Sequence, residues 1–73
     1  MKFSLQKAAV NPQGYTPEGY YFGHGIQLWI YSHSSYDEEQ NSWVNICEYL
    51  RAPTREEAKE HITKLYPQAT FHR

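Results

Sequence analysis

The sequence predicts an α+β fold: a small antiparallel sheet of three or four strands in the order β-β-β-α, with one C-terminal helix packed on one face and a stretch for a fourth strand after it. Three observations predict it. Ile26, Leu28 and Ile30 alternate with Gln27, Trp29 and Tyr31 at the two-residue period of a strand, in a run rich in β-branched and aromatic residues. A similar run through Trp43 to Arg51 follows across a polar stretch. Thr54-Arg55-Glu56-Glu57 then reads as a capping box, the sequence mark of a helix start.

Taken in order, Phe3 and Leu5 alternate with Ser4 and Gln6, which gives a short first strand within residues 3–10. Residues 11–25 hold all four glycines and two of the four prolines. Within them, Asn11-Pro12-Gln13-Gly14 and Thr16-Pro17-Glu18-Gly19 each fit a β-turn with Pro second and Gly fourth. The second strand is clearest over residues 26–31. Residues 32–42, polar and carrying the acids Asp37-Glu38-Glu39, read as a hairpin connection whose ends extend the flanking strands. The helix is expected from Thr54 to Tyr66, stopped by Pro67, with Ala58, His61, Ile62 and Leu65 on one apolar stripe. Residues 69–73 are long enough for a short edge strand.

Alternation assigns the core. The aliphatic set Ile26, Leu28, Ile30, Val44, Ile46 and Leu50 is the natural partner for Ala58, Ile62 and Leu65, so Trp29, Tyr31 and His33 are expected on the opposite face with Trp43, Cys47, Tyr49 and Arg51. One helix cannot cover both faces. The aromatic face is therefore closed by the Tyr-rich loop through Tyr15, Tyr20, Tyr21 and Phe22, by a second copy of the chain, or by a partner.

Length and composition narrow the classes. Seventy-three residues suit one domain, 1–73, and a domain this short buries only about 60% of the surface its unfolded chain exposes. With one cysteine, Cys47, no internal disulfide can reinforce it, so association is the expected support, in a reducing compartment. The start of the chain lacks the apolar core of a secretory signal, and no run suits a membrane span, so a soluble cytoplasmic chain is expected. A formal charge of −1 supplies no broad field for a polyanion. The aromatic content, seven Tyr, three Phe and two Trp, must serve the core, a surface or both.

Signatures of chemistry are weak. His24, His33, His61 and His72 include no pair one helical turn apart, and there is no cysteine pair, so no metal or cofactor is expected. Cys47 lies in a strand without a nucleophile motif and reads as a small buried hydrophobe, the acidic run lacks calcium-loop spacing, and the glycines form no phosphate cradle. An enzyme is not expected.

What remains is a non-catalytic accessory or regulatory protein that binds another protein through an aromatic sheet face. Its candidate contact residues are Trp29, Tyr31, His33, Trp43, Tyr49 and Arg51. Two alternatives stay open: a single-stranded nucleic-acid-binding sheet, disfavoured because Arg51 is the only basic residue on that face apart from the histidine, and a homodimer whose aromatic face is buried between copies.

Overall fold

A computed structural model describes residues 1–72 of the chain. Strand β1 (Lys2–Ala8) is followed by β2 (Leu28–Asp37), β3 (Ser42–Arg51), helix α1 (Arg55–Leu65) and the two-residue β4 (Thr70–Phe71). The sheet order is β3-β2-β1-β4. Strands β1, β2 and β3 pair antiparallel, and β4 joins β1 in parallel, making the fold α+β with a mixed four-stranded sheet. The parallel pairing follows from the helix, which returns the chain across the sheet before β4 begins.

The hairpin is longer than the polar sequence suggested. β2 and β3 pair without interruption from Leu28↔Arg51 to Asp37↔Ser42, which leaves only residues 38–41 as the connection. Polar residues suit this extension because most of its side chains are exposed and the backbone ladder supplies the pairing. The Ser34 hydroxyl donates to Asn45 Oδ1 at 2.7 Å, and Tyr36 stacks edge-on against Trp43 with ring centroids 5.6 Å apart. Asp37 Oδ1 accepts from the Glu39 amide at 3.0 Å, and Asn41 takes φ 52°, so the turn is closed by residues that tolerate it.

The register of β2 corrects the expected core. Trp29 stands opposite Leu50 and Lys7, and Tyr31 opposite Glu48 and Leu5, so Trp29 and Tyr31 face α1 while Ile30 lies on the other face with Tyr49. The buried cluster consists of Phe3, Leu5, Trp29, Tyr31, Ala52, Ala58 and Ile62, with Ile46, Leu50, Tyr66, Ala69 and Phe71 packed around it. Leu28 is buried outside this cluster, and Ile26 is exposed.

Size explains the reversal. Aromatic side chains remove far more surface from water than Ile or Leu, and a helix presenting Ala58 leaves room for them. Their polar tips are also satisfied: the Trp29 indole N–H donates to the Ala52 carbonyl at 2.8 Å, and the Tyr31 hydroxyl donates to Glu48. No buried side-chain polar atom among the described residues lacks a partner.

The helix begins as expected. Thr54 is its N-cap and accepts from the Glu57 amide at 3.2 Å, and Tyr66 is its C-cap. Only Ala58 and Ile62 of the expected stripe are buried. Leu65 is 58% exposed because α1 ends there and the inward place one turn after Ile62 is taken by Tyr66, whose ring lies 5.3 Å from that of Phe3; His61 is exposed as well. No helix is long and apolar enough to cross a membrane among the described residues.

Candidate functional site

The sheet has two unlike faces, and the six residues expected to share one are divided between them. Trp29 and Tyr31 are 3% and 2% exposed beneath the helix, with half-buried His33 beside them against the Phe3 ring at 5.4 Å. These three do not line an open surface. Trp43, Tyr49 and Arg51 lie on the opposite face, as alternation along β3 required.

That outer face is built in two parts. Near the middle of the sheet, Ile30, Cys47 and Tyr49 form the floor of an open groove of about 490 Å³, whose wall is Glu18, Tyr20 and Phe22. Cys47 is exposed here and not the buried thiol its strand position suggested. At the far end of the hairpin, Trp43 is 66% exposed and stacks on Tyr36.

The Tyr-rich loop supplies the wall because it carries its own structure. Both expected turns close, with the Gly14 amide donating to the Asn11 carbonyl and the Gly19 amide to the Thr16 carbonyl, each at 2.9 Å. Asn11 Oδ1 accepts from the amides of Gln13 and Tyr15, and Tyr15 bridges to Tyr21 with rings 5.1 Å apart. Gly14 makes the fold-back possible: its φ is 91°, and an added Cβ would lie 2.7 Å from the Gly23 Cα.

The loop then docks on β3. Phe22 packs on Tyr49 with centroids 4.7 Å apart, Tyr20 lies 6.1 Å from the same ring, and the Tyr49 hydroxyl donates to Glu18 at 3.1 Å. Arg51 donates to the Phe22 carbonyl at 2.7 Å and also to the carbonyls of Gly23 and Ile26. The loop therefore covers Tyr49 and Arg51, not the two tryptophans, and it stops short of Trp43.

Electrostatics add two fixed donors. Burial first, then the Glu48 carboxylate, hold the Tyr31 phenol well above its ordinary range, and partial burial followed by the hydrogen bond to Glu18 raises Tyr49. Both are neutral hydroxyls at physiological pH. No group of three or more His, Cys, Asp or Glu side chains placed to hold a metal occurs among the described residues.

Sequence reasoning missed Glu18, Ile30 and Tyr36 as outer-face residues, whereas Tyr20 and Phe22 were among the loop residues offered as one way of closing the aromatic face. Tyr36 was within reach: a four-residue connection pairs it with Trp43 directly, but the polar run hid where the strands ended. Set against known families, curated proteins and solved structures, the chain has no match.

Proposed function

We propose that this chain is a non-catalytic accessory protein that binds another protein through the outer face of its sheet. One observation carries the reading: the groove floored by Ile30, Cys47 and Tyr49 and the exposed Tyr36–Trp43 pair make an aromatic and apolar surface that the fold covers with neither a helix nor a second sheet. Tyr and Trp give large, rigid contact area at low entropic cost, which is why they dominate binding hot spots. A polyanion suits this surface less well. Arg51 is committed to three loop carbonyls, and the Glu18 carboxylate stands in the groove wall.

The test uses exposed residues so that folding is spared. Wild-type protein, Tyr20→Glu, Trp43→Glu and the remote control Leu65→Ala are each immobilised and exposed to extract of the native cell. A protein retained by wild type and control but lost by both outer-face variants supports the proposal. Equal retention by all four, no retained protein, or nucleic acid that elutes steeply with salt overturns it.

A further inference from the structure

The two edges of the sheet are unequal. One is β4, two residues long and blunted by its shortness. The other is β3, ten residues long, regular along its full pairing with β2, and without proline or lysine. Folded proteins usually guard such an edge with charges, bulges or a covering segment. The only charged residues of β3 are Glu48 and Arg51, and both are turned to internal duties, Glu48 accepting from Tyr31 and Arg51 donating to the loop carbonyls.

We propose that β3 pairs antiparallel with β3 of a second copy, joining two four-stranded sheets into one of eight strands about a two-fold axis. The pairing runs through the backbone edge of β3, although Trp43, Cys47 and Tyr49 also face outward, so this association does not require the function proposed above. The occupant follows from the sequence of the strand. In a two-fold antiparallel pair, alternation requires side chains that meet to share a face, so one residue must stand opposite its own copy.

Centring the pair on Glu48 sets two carboxylates against each other, which is repulsive. Centring it on Ile46 places Arg51 opposite Asn41, outside the strand at φ 52°. Centring it on Cys47 keeps residues 43–51 paired and opposes no like charges. Val44 then meets Leu50, Ile46 meets Glu48, Asn45 meets Tyr49, and the Trp43 indole meets the stem of Arg51, whose guanidinium stays on the loop carbonyls. Of these three registers, the one centred on Cys47 alone keeps the strand paired with no like charges opposed. Both helices fall on one side of the joined sheet and both grooves on the other, so the outer face becomes continuous across the seam.

Charge complementation at position 47 tests the partner and the register together. Cys47 is exposed, so Cys47→Lys and Cys47→Asp are expected to fold. By sedimentation equilibrium the wild type is expected to be a dimer, each variant alone a monomer of half that mass with unchanged far-UV circular dichroism, and an equal mixture of the two a dimer again. A wild type that stays monomeric at its highest soluble concentration overturns the proposal, as does dimerisation by each variant alone or failure of the mixture to recover it. Should a variant unfold, hydrogen exchange of wild-type β3 amides decides: outward-facing amides gain protection with concentration if β3 is the seam, and concentration-independent exchange rejects it.

Discussion

The indole N–H of Trp29 donates to the carbonyl of Ala52 at 2.8 Å, tying β2, the first strand of the hairpin, to the segment that leads into the helix. Both residues are buried, so the bond fixes the register in which β2 turns its aromatic side toward the helix. Trp29→Phe should leave the Ala52 carbonyl without its partner and cost about 1–3 kcal/mol, and Trp29→Ala should cost about 3–5 kcal/mol by adding a cavity. Urea unfolding measures both. Equal stability of Trp29→Phe and wild type would show that the bond is replaced by water at no cost.

The helix contributes through fewer residues than its amphipathic pattern implies. Ile62 is completely buried, so Ile62→Ala should cost ~2–5 kcal/mol, while exposed Leu65→Ala should stay within about 0.5 kcal/mol of wild type. Thermal unfolding of the two variants separates these expectations. A larger loss at Leu65 than at Ile62 contradicts the helix orientation described above.

Local signals were legible in this sequence, and the choice of sheet face was not. Thr54 marks the helix start because its side chain satisfies an orphan amide within one turn, and the Pro-Gly turns declare themselves through backbone geometry. The β2 face could not be read in the same way. Ile26, Leu28 and Ile30 and the competing set Trp29 and Tyr31 are both apolar, and the choice depends on the volume left under Ala58 and on partners for two polar tips, Ala52 and Glu48, which lie far along the chain. The outer site inherited this error. Trp43, Tyr49 and Arg51 were placed on their proper face by β3 alternation, whereas Trp29, Tyr31 and His33 moved with the register of β2.

Two glycines in the loop should respond differently to the same substitution. Gly14→Ala meets both a left-handed φ of 91° and the Gly23 backbone, whereas Gly19→Ala, at φ 95°, adds a methyl group to open space. Gly19→Ala should therefore lose about 1–2 kcal/mol from backbone strain, and Gly14→Ala more than that, with release of the loop from Tyr49. Chemical denaturation gives the order, and Tyr49 ring shifts report the undocking. Reversal of the order would place the strain elsewhere in the loop.

Alkaline pH should weaken the fold through Tyr31. Its phenol keeps its proton more tightly in the folded chain than in the unfolded one, so between the two titrations the folded state binds more protons. The associated stability is complete below about pH 10, the ordinary tyrosine value, and declines as pH rises beyond it. Tyr31→Phe should show a shallower alkaline loss than wild type when unfolding is followed at stepped pH. An unchanged slope would assign the alkaline sensitivity to Tyr49 or another group.

The parallel seam between β1 and β4 has a kinetic consequence. The hairpin zips from a four-residue turn, but Thr70 must find the Met1 carbonyl and His72 the Phe3 carbonyl from the opposite end of the chain. Closing so long a loop costs entropy that a two-residue ladder and a few exposed hydrogen bonds around Met1 repay directly, so this seam should assemble last and open first. Each opening lifts Phe71 from the side of Phe3, the residue at the centre of four aromatic contacts. The core should therefore open first between β1 and β4, with solvent entering beside Phe3 while the hairpin is still paired.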